Sequence, residues 1–303
     1  MFIVSKAAPK IEQLIDRAEK GFTQIELQLT KEFFTCNNLS IYDCVLSPNW
    51  DIVHVHMPFI PKESDLPIEF ISNPKFKPIF LNVCKLSQKC AEYYKHDINI
   101  IIHTNIPLNT MNNLVETLNS VEDVIGYALD EFPSIHFSIE NGALYSTRKD
   151  DIRINPSAFD NNVQWANYLN SKFNTQRFNT TLDICHMLMT IRGLGNIVNH
   201  PETAHLEKTI EWFFKQNRSL IKNIHLNNMR QHGLKTDHSE TFNYSILKDV
   251  EILNTIFELY NRYNLDCNLT LEVEESDYND AIKAKELKNL LINRYSEFIK
   301  LHL

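Results

Sequence analysis

The sequence predicts a single (β/α)8 TIM barrel spanning residues 1–303, because short apolar runs alternate with amphipathic segments along the chain. Eight runs have the length and β-branched content of strands: 2–5, 23–29, 51–57, 98–103, 135–140, 180–184, 221–227 and 268–274. Eight such units in a chain of this length favour a closed barrel over an open doubly wound sheet. The chain has only six glycines and lacks the glycine-rich phosphate loops typical of the open sheet.

Helical periodicity fills the intervals between these strands. Residues 246–260 are the clearest case, because Ile246, Val250, Leu253 and Phe257 recur at helical spacing. Further helices are predicted over 8–20, 77–95, 110–130, 160–173, 203–217 and 278–301, whereas 31–47 is more broken. No linker or change of composition interrupts the series, so we predict one domain.

Composition and charge narrow the classes of function. The formal net charge is −8, which disfavours broad attraction to nucleic acid or anionic membranes. No apolar run approaches the roughly 20 residues of a membrane span, and the first residues lack the apolar core of a signal peptide. We therefore expect a cytoplasmic protein with no membrane partner. The six cysteines form no CxxC pair, and we expect reduced thiols.

The strands carry polar residues on one face. A parallel strand covered by helices is expected to be apolar on both faces, yet these strands alternate. The polar positions are Glu26, Gln28, His54, His56, His103, His136, Glu140, Asp183, His225, Glu272 and Glu274. In a barrel, such a set points inward and towards the mouth, where the active sites of barrels lie.

The strongest candidates for a metal site lie at matching depth on four consecutive strands: Glu140, Asp183, His225 and Glu272. Carboxylates and imidazoles gathered in a barrel mouth repel or lose hydration unless a positive charge compensates. Mixed Glu, Asp and His ligands suit Mn²⁺, Zn²⁺, Co²⁺ or Mg²⁺, whereas a closed structural zinc site would contain more thiolate. We therefore predict a catalytic site for a divalent metal ion.

A second group of residues has more open roles. His56 and His103 are candidates for additional metal ligands or for contacts to substrate or to a ligand carboxylate. Lys6 and Arg230 are candidate anion contacts at the ends of strands. Glu26, Gln28, His54 and His136 are expected to form hydrogen bonds inside the barrel, and Glu274 competes with Glu272 for the same role.

Four motifs resemble the xylose isomerase-like barrel superfamily: SIENGA (138–143), TLDICHM (181–187), IHLNN (224–228) and LTLEVEE (269–275). The resemblance covers essentially the whole chain, and the Asp-x-x-His of Asp183 and His186 is its most specific part. In the isomerase and epimerase branch, it implies one metal held by Glu140, Asp183, His225 and Glu272. It also implies that Glu140 and Glu272 form the acid/base pair, and that His186 contacts a substrate oxygen.

The endonuclease IV branch of the same superfamily implies three zinc ions. His56 and His103 match its additional strand histidines. That branch also has an Asp-x-His followed by glycines, whereas here Asp237 and His238 are adjacent and no glycine follows. The segment TKEFFTCNN after the second strand offers no clear counterpart of its DNA-penetrating loop.

Three hypotheses for the function follow. The first is a metal-dependent isomerase or epimerase of a small sugar, sugar phosphate or related carbonyl compound, with a sugar-acid dehydratase using nearly the same residues. The second is a metal-dependent phosphodiesterase that cuts abasic DNA, the only hypothesis with a nucleic-acid partner. The third is a barrel that only binds a ligand. Substrate identity is expected to depend on loops 144–160, 188–202 and 229–245, and members of the superfamily often form homo-oligomers.

Overall fold

A closed barrel of eight parallel strands lies at the centre of the molecule, which confirms the predicted fold. The computed structural model describes residues 1–29, 40–57, 77–103, 106–107, 114–143, 145–148, 151–154, 161–198, 206–232 and 235–300. With all strands numbered in chain order, the barrel consists of β1 (Ile3–Ala7), β2 (Gln24–Gln28), β3 (Asp51–His56), β4 (Ile98–Ile102), β6 (Ile135–Glu140), β9 (Phe178–Asp183), β10 (Ile221–Leu226) and β13 (Asn268–Leu271). It closes where β1 pairs with both β2 and β13.

Helices follow the strands, and their apolar faces meet the outside of the barrel. In the described ranges they are α1 (Ile11–Glu19), α2 (Ser40–Val45), α3 (Lys77–Tyr94), α4 (Leu114–Glu131), α5 (Asn161–Lys172), α6 (Ile184–Val198), α7 (Leu206–Asn217), α8 (Leu247–Arg262) and α9 (Ile282–Tyr295). Helix α8 illustrates the packing, because it buries Ile252, Leu253, Ile256 and Phe257. None of the helices in these ranges is long and apolar enough to cross a membrane.

Three segments that the sequence interpretation left as loops contain regular structure. Helix α6 starts directly after β9 and occupies much of the predicted loop 188–202. Hairpins are formed by β7 (Tyr145–Arg148) with β8 (Asp151–Ile154), which also pairs with β5 (Ile106–Pro107), and by β11 (Asn228–His232) with β12 (Lys235–Glu240).

The sequence signals for these elements are weak for physical reasons. Helix α6 contains Gly193 and Gly195, and glycine is among the least favourable residues in a helix. The hairpin strands β11 and β12 are mostly polar and lack the apolar alternation by which a half-buried strand is recognised.

The barrel interior is crossed by polar contacts between strands that are not neighbours. The Asn179 side-chain amide donates to the side-chain oxygen of Asn99 across β6, at 2.5 Å. His54 Nε2 lies 3.1 Å from the side-chain nitrogen of Asn268 on the far side of the barrel. These contacts confirm that the polar faces of the strands point inward.

Arg177 joins the end of α4 to the start of β6, and we expect its loss to destabilise the fold. Its guanidinium donates to the carbonyls of Leu129, Phe132 and Ile135 at 2.8 to 2.9 Å. Arg177→Met removes these charged donors and should lower the free energy of unfolding by about 3 kcal/mol.

Urea denaturation measures this change. Lys215→Met is the matched control, because Lys215 is exposed on α7 and its replacement should change the stability by less than about 0.5 kcal/mol. Equal midpoints for the two variants would contradict the role of Arg177.

Candidate metal centre

The ends of four barrel strands bring the strongest candidate ligands together. Glu140 and Asp183 are the last residues of β6 and β9, and His225 pairs with Asp183 in the register of β9 and β10. Glu272 follows β13 directly, and its amide donates to the carbonyl of Leu226 on β10. The first three side chains are buried and that of Glu272 is 20% exposed. All four therefore meet at the carboxyl-terminal mouth of the barrel.

His225 Nδ1 is the point on which the carboxylates converge. It lies 2.8 Å from Glu272 Oε2, 3.4 Å from Glu140 Oε2 and 3.7 Å from Asp183 Oδ2. His225 Nδ1, Glu140 Oε2 and Glu272 Oε2 are all buried without a hydrogen-bond partner among the described residues. Buried polar atoms without partners are costly, and nitrogen and oxygen donors at these separations fit a divalent ion. Glu140, Asp183 and His225 therefore form a group that could hold the metal predicted from the sequence, and the role of Glu272 as a fourth ligand stays a prediction.

A second group with metal-binding potential adjoins the first and shares Glu140. Its other members are His56 and His103, whose Nε2 atoms lie 2.9 Å apart and 3.4 to 3.5 Å from Glu140 Oε2. His56 Nδ1 donates to the carbonyl of Met57 at 2.9 Å, so the neutral form of this ring would have its lone pair on Nε2, which faces Glu140. Burial lowers the pKa of His103 to about 3, which keeps this imidazole neutral and able to bind a cation.

A third group, Glu26 with His56 and His225, already has a cation beside it. Lys6 Nζ lies 3.2 Å from Glu26 Oε1 and 2.7 Å from Glu272 Oε1. Burial alone would lower the pKa of Lys6, but Glu272 and Glu26 raise it above its usual range. The candidate anion contact Lys6 thus binds two carboxylates of the protein itself.

The carboxylates of the centre are held ionised by their neighbours. Burial alone would raise the pKa of Glu140 and of Glu272. The charge that His103 carries when it is protonated and the charge of His225 outweigh burial at Glu140. Lys6 and His225 outweigh burial at Glu272, and both pKa values fall below the usual range. At Glu26, His225 and Lys6 likewise outweigh burial and lower the pKa. The site is therefore a cluster of buried anions facing cations.

His186, in the first turn of α6, lies against Oε1 of Glu140. This is the outer oxygen of Glu140, the one that does not face His225 Nδ1. Its Nδ1 is 3.1 Å from Glu140 Oε1 and 3.0 Å from the carbonyl of Asn141. Burial alone would lower the pKa of His186, but Asp183 and Glu140 raise it to about 9. His186 therefore places a protonated donor beside the glutamate.

Two asparagines fix Asp183, and the sequence interpretation did not assign them this role. Asn141 accepts the amide of Asp183 at 2.6 Å and donates to its carbonyl at 3.1 Å. Asn227 donates to Asp183 Oδ2 at 2.8 Å and accepts the amide of Cys185. Their positions offer a signal: Asn141 follows Glu140, and Asn227 shares a strand face with His225.

Other candidate residues lie away from the centre. The guanidinium of Arg230 binds the carboxylate of Asp249 and the carbonyl of Thr241. The side chain of Glu274 is exposed, whereas that of Glu272 faces His225. Asp237 and His238 belong to β12, and their side chains lie outside the described part of the structure.

His136 and Gln28 make contacts of other kinds. His136 Nε2 lies 3.3 Å from the carboxylate of Asp97, which precedes β4 at the opposite end of the barrel. The Gln28 amide lies 3.3 Å from His56 Nδ1, which places it behind the second group rather than within it.

No protein-family model and no curated protein matches this sequence. Among solved structures, an AP endonuclease of family 2 from Brucella melitensis is 12% identical, with a TM-score of 0.56 over 97% of this chain and 98% of that chain. The 3-keto-D-glucoside 4-epimerase YcjR from E. coli is 13% identical, with a TM-score of 0.57 over 97% and 99% of the chains. A D-tagatose 3-epimerase-like protein is 15% identical, with a TM-score of 0.57 over 97% and 98%.

This chain has the same fold. The likeness to the three structures concerns the fold alone, and it agrees with the closed barrel that the sequence predicts. At identities of 12 to 15%, the comparison concerns the path of the chain, and the chemistry must be argued from the site.

We expect Mn²⁺ or Zn²⁺ to stabilise the protein through Glu140. An ion that binds only the folded state at 100 times its Kd raises the free energy of unfolding by about 2.7 kcal/mol. Glu140→Gln removes the charge of the shared carboxylate and should abolish most of this gain, which urea denaturation with and without metal measures. The exposed neighbour variant Glu274→Gln should keep it. Equal stabilisation of both variants would remove Glu140 from the ligand set.

Proposed function

We propose that this chain is a divalent-metal-dependent isomerase or epimerase of a small polyhydroxy carbonyl compound, such as a sugar or a sugar phosphate. The arrangement of Glu140 and Glu272 carries the proposal. Their strands stand on either side of β9 and β10 in the barrel order. Each carboxylate turns one oxygen towards His225 and the other towards a donor, His186 or Lys6.

This arrangement suits proton transfer at carbon. A divalent ion held by Glu140, Asp183, His225 and Glu272 would polarise a carbonyl and its neighbouring hydroxyl, which acidifies the C–H bond between them. One glutamate then removes the proton and the other returns a proton to the opposite face. His186 and Lys6 hold protons at the outer oxygens of the two glutamates, and such acid–base assistance contributes about 10²- to 10⁴-fold to a rate.

Two further observations support this class of substrate. Two of the structural neighbours are named for keto sugars: 3-keto-D-glucoside 4-epimerase and D-tagatose 3-epimerase-like protein. The net charge of −8 gives a polyanion such as DNA no general attraction, whereas a small sugar needs only contacts within the barrel mouth.

A second candidate function is a metal-dependent phosphodiesterase acting on abasic DNA. The group of His56, His103 and Glu140 favours it, because two ions that share a carboxylate can stabilise both the attacking and the leaving oxygen of a phosphodiester. One structural neighbour carries the name AP endonuclease. The two functions differ in the number of ions that they require.

Metal content and hydrogen exchange at carbon test the first function. The purified protein should hold one Mn²⁺ or similar ion per chain. In D2O it should exchange a C–H hydrogen of its substrate, as followed by proton NMR over a panel of ketoses and their phosphates. Glu140→Gln and Glu272→Gln should each lower the exchange rate by at least about 10²-fold, whereas the exposed Glu274→Gln should leave it unchanged.

A different set of results would support the second function, the phosphodiesterase. Two or three zinc ions per chain, cleavage of an oligonucleotide at a synthetic abasic site, and no exchange with any ketose would replace the first function with the second. Loss of His103 should then abolish cleavage, because it supplies a ligand of the second group only.

A further inference from the structure

Glu26 lies inside the barrel, behind the candidate metal centre, and its carboxylate is fully buried. Its Oε2 accepts from His225 Nε2 at 2.9 Å and from the Asn223 amide at 3.0 Å, and the Thr270 hydroxyl oxygen lies 3.2 Å away. Its Oε1 faces Lys6 Nζ at 3.2 Å. The carboxylate is thus fixed from several strands at once.

The contact with His225 involves the ring nitrogen that faces away from the centre. A carboxylate only accepts hydrogen bonds, so Glu26 keeps a hydrogen of His225 on Nε2. Nδ1 is the atom that faces Glu140, Asp183 and Glu272, and a metal ion bound there would displace a proton from Nδ1 and leave the hydrogen on Nε2. Glu26 therefore selects the ring form that a metal ion at the centre requires.

We propose that Glu26 is a positioning residue for metal binding, which holds His225 in the orientation and tautomer that present Nδ1 to the ion. The inference rests on the metal site of the proposed function. Histidine ligands of metals almost always donate their second nitrogen to a carboxylate, a carbonyl or water, and loss of that partner weakens metal binding about 10- to 100-fold.

The surroundings of Glu26 distinguish this role from a simple ion pair with Lys6. Its two oxygens serve different partners, since Oε1 faces the ammonium and Oε2 receives the imidazole. Asn223, a second donor to Oε2, is itself fixed by the hydroxyl of Thr270 at 2.9 Å. A counter-ion for Lys6 alone would not need this set of donors around the oxygen that meets His225.

The test is the affinity for Zn²⁺, measured by isothermal titration calorimetry on the metal-free full chain. Glu26→Gln should raise the Kd about 10- to 100-fold, while circular dichroism verifies that the variant is folded. The double variant Lys6→Met with Glu26→Gln removes the ion pair, and it is compared with Lys6→Met alone because Lys6 also binds Glu272. Its affinity should remain weakened, because His225 still lacks its carboxylate.

The tautomer is visible in the wild-type protein, independently of any variant. In the zinc-loaded chain, long-range ¹H–¹⁵N NMR correlations should assign the imidazole hydrogen of His225 to Nε2 and the metal-bound nitrogen to Nδ1. A hydrogen on Nδ1, a wild-type Kd in Glu26→Gln, or an affinity of the double variant equal to that of Lys6→Met alone would each overturn the inference.

Glu140→Gln separates this inference from the proposed function. If Glu140→Gln and Glu26→Gln both bind Zn²⁺ like the wild type, the metal site itself is refuted. If Glu140→Gln loses binding and Glu26→Gln retains it, the metal site stands and only the role of Glu26 fails.

Discussion

The mouth of this barrel depends on the neutralisation of buried negative charge. Four carboxylates, those of Glu26, Glu140, Asp183 and Glu272, share one region, and three of them are almost fully buried. An isolated ionised carboxylate in such a place would cost several kcal/mol. Lys6 forms ion pairs with two of them, Glu26 and Glu272. The imidazoles and a divalent ion would compensate the negative charge that remains. The spatial arrangement of the surrounding residues meets this electrostatic requirement.

The barrel meets the requirement by fixing each group from behind. Asn141 and Asn227 hold Asp183, Glu26 holds His225, and the carbonyl of Met57 holds His56. These supporting groups lie on strands or directly after them, where the backbone is fixed by the parallel hydrogen bonds of the sheet. Such rigidity keeps the donor atoms close together before an ion binds, which reduces the cost of ordering them.

Glu140 connects the two proposed chemistries. Its Oε2 faces His225 of the first group and both His56 and His103 of the second. With one ion, Glu140 would act with Glu272 in proton transfer; with two ions, Glu140 would supply a ligand to both groups. Occupancy of the second group by a metal ion would therefore distinguish the two proposed functions, proton transfer at carbon and displacement at phosphorus. Both functions would use the same ligands in the first group.

Much of this arrangement could be predicted from the alternation of residues along the strands. Successive side chains of a strand point to opposite faces of the sheet. The residues on either side of Glu140, Asp183 and His225 therefore suffice to place these three on the inward face. The helix α6 and the β11–β12 hairpin escaped prediction, because glycines and polar strands weaken the periodic signals. Local patterns also gave Asn141 and Asn227 no role, since hydrogen bonding to Asp183 is a relation between different strands.

The sequence by itself determined the barrel, the inward faces and the residue types that converge at its mouth. These features depend on the alternation of residues within each strand and on the succession of strands and helices along the chain. Only the tertiary structure decided which charges meet. Lys6 was a candidate for an external anion, yet the closure of β1 against β2 and β13 places it between Glu26 and Glu272. Glu26 was expected to bond inside the barrel, but its partner His225, 199 residues away, is defined only by closure of the barrel.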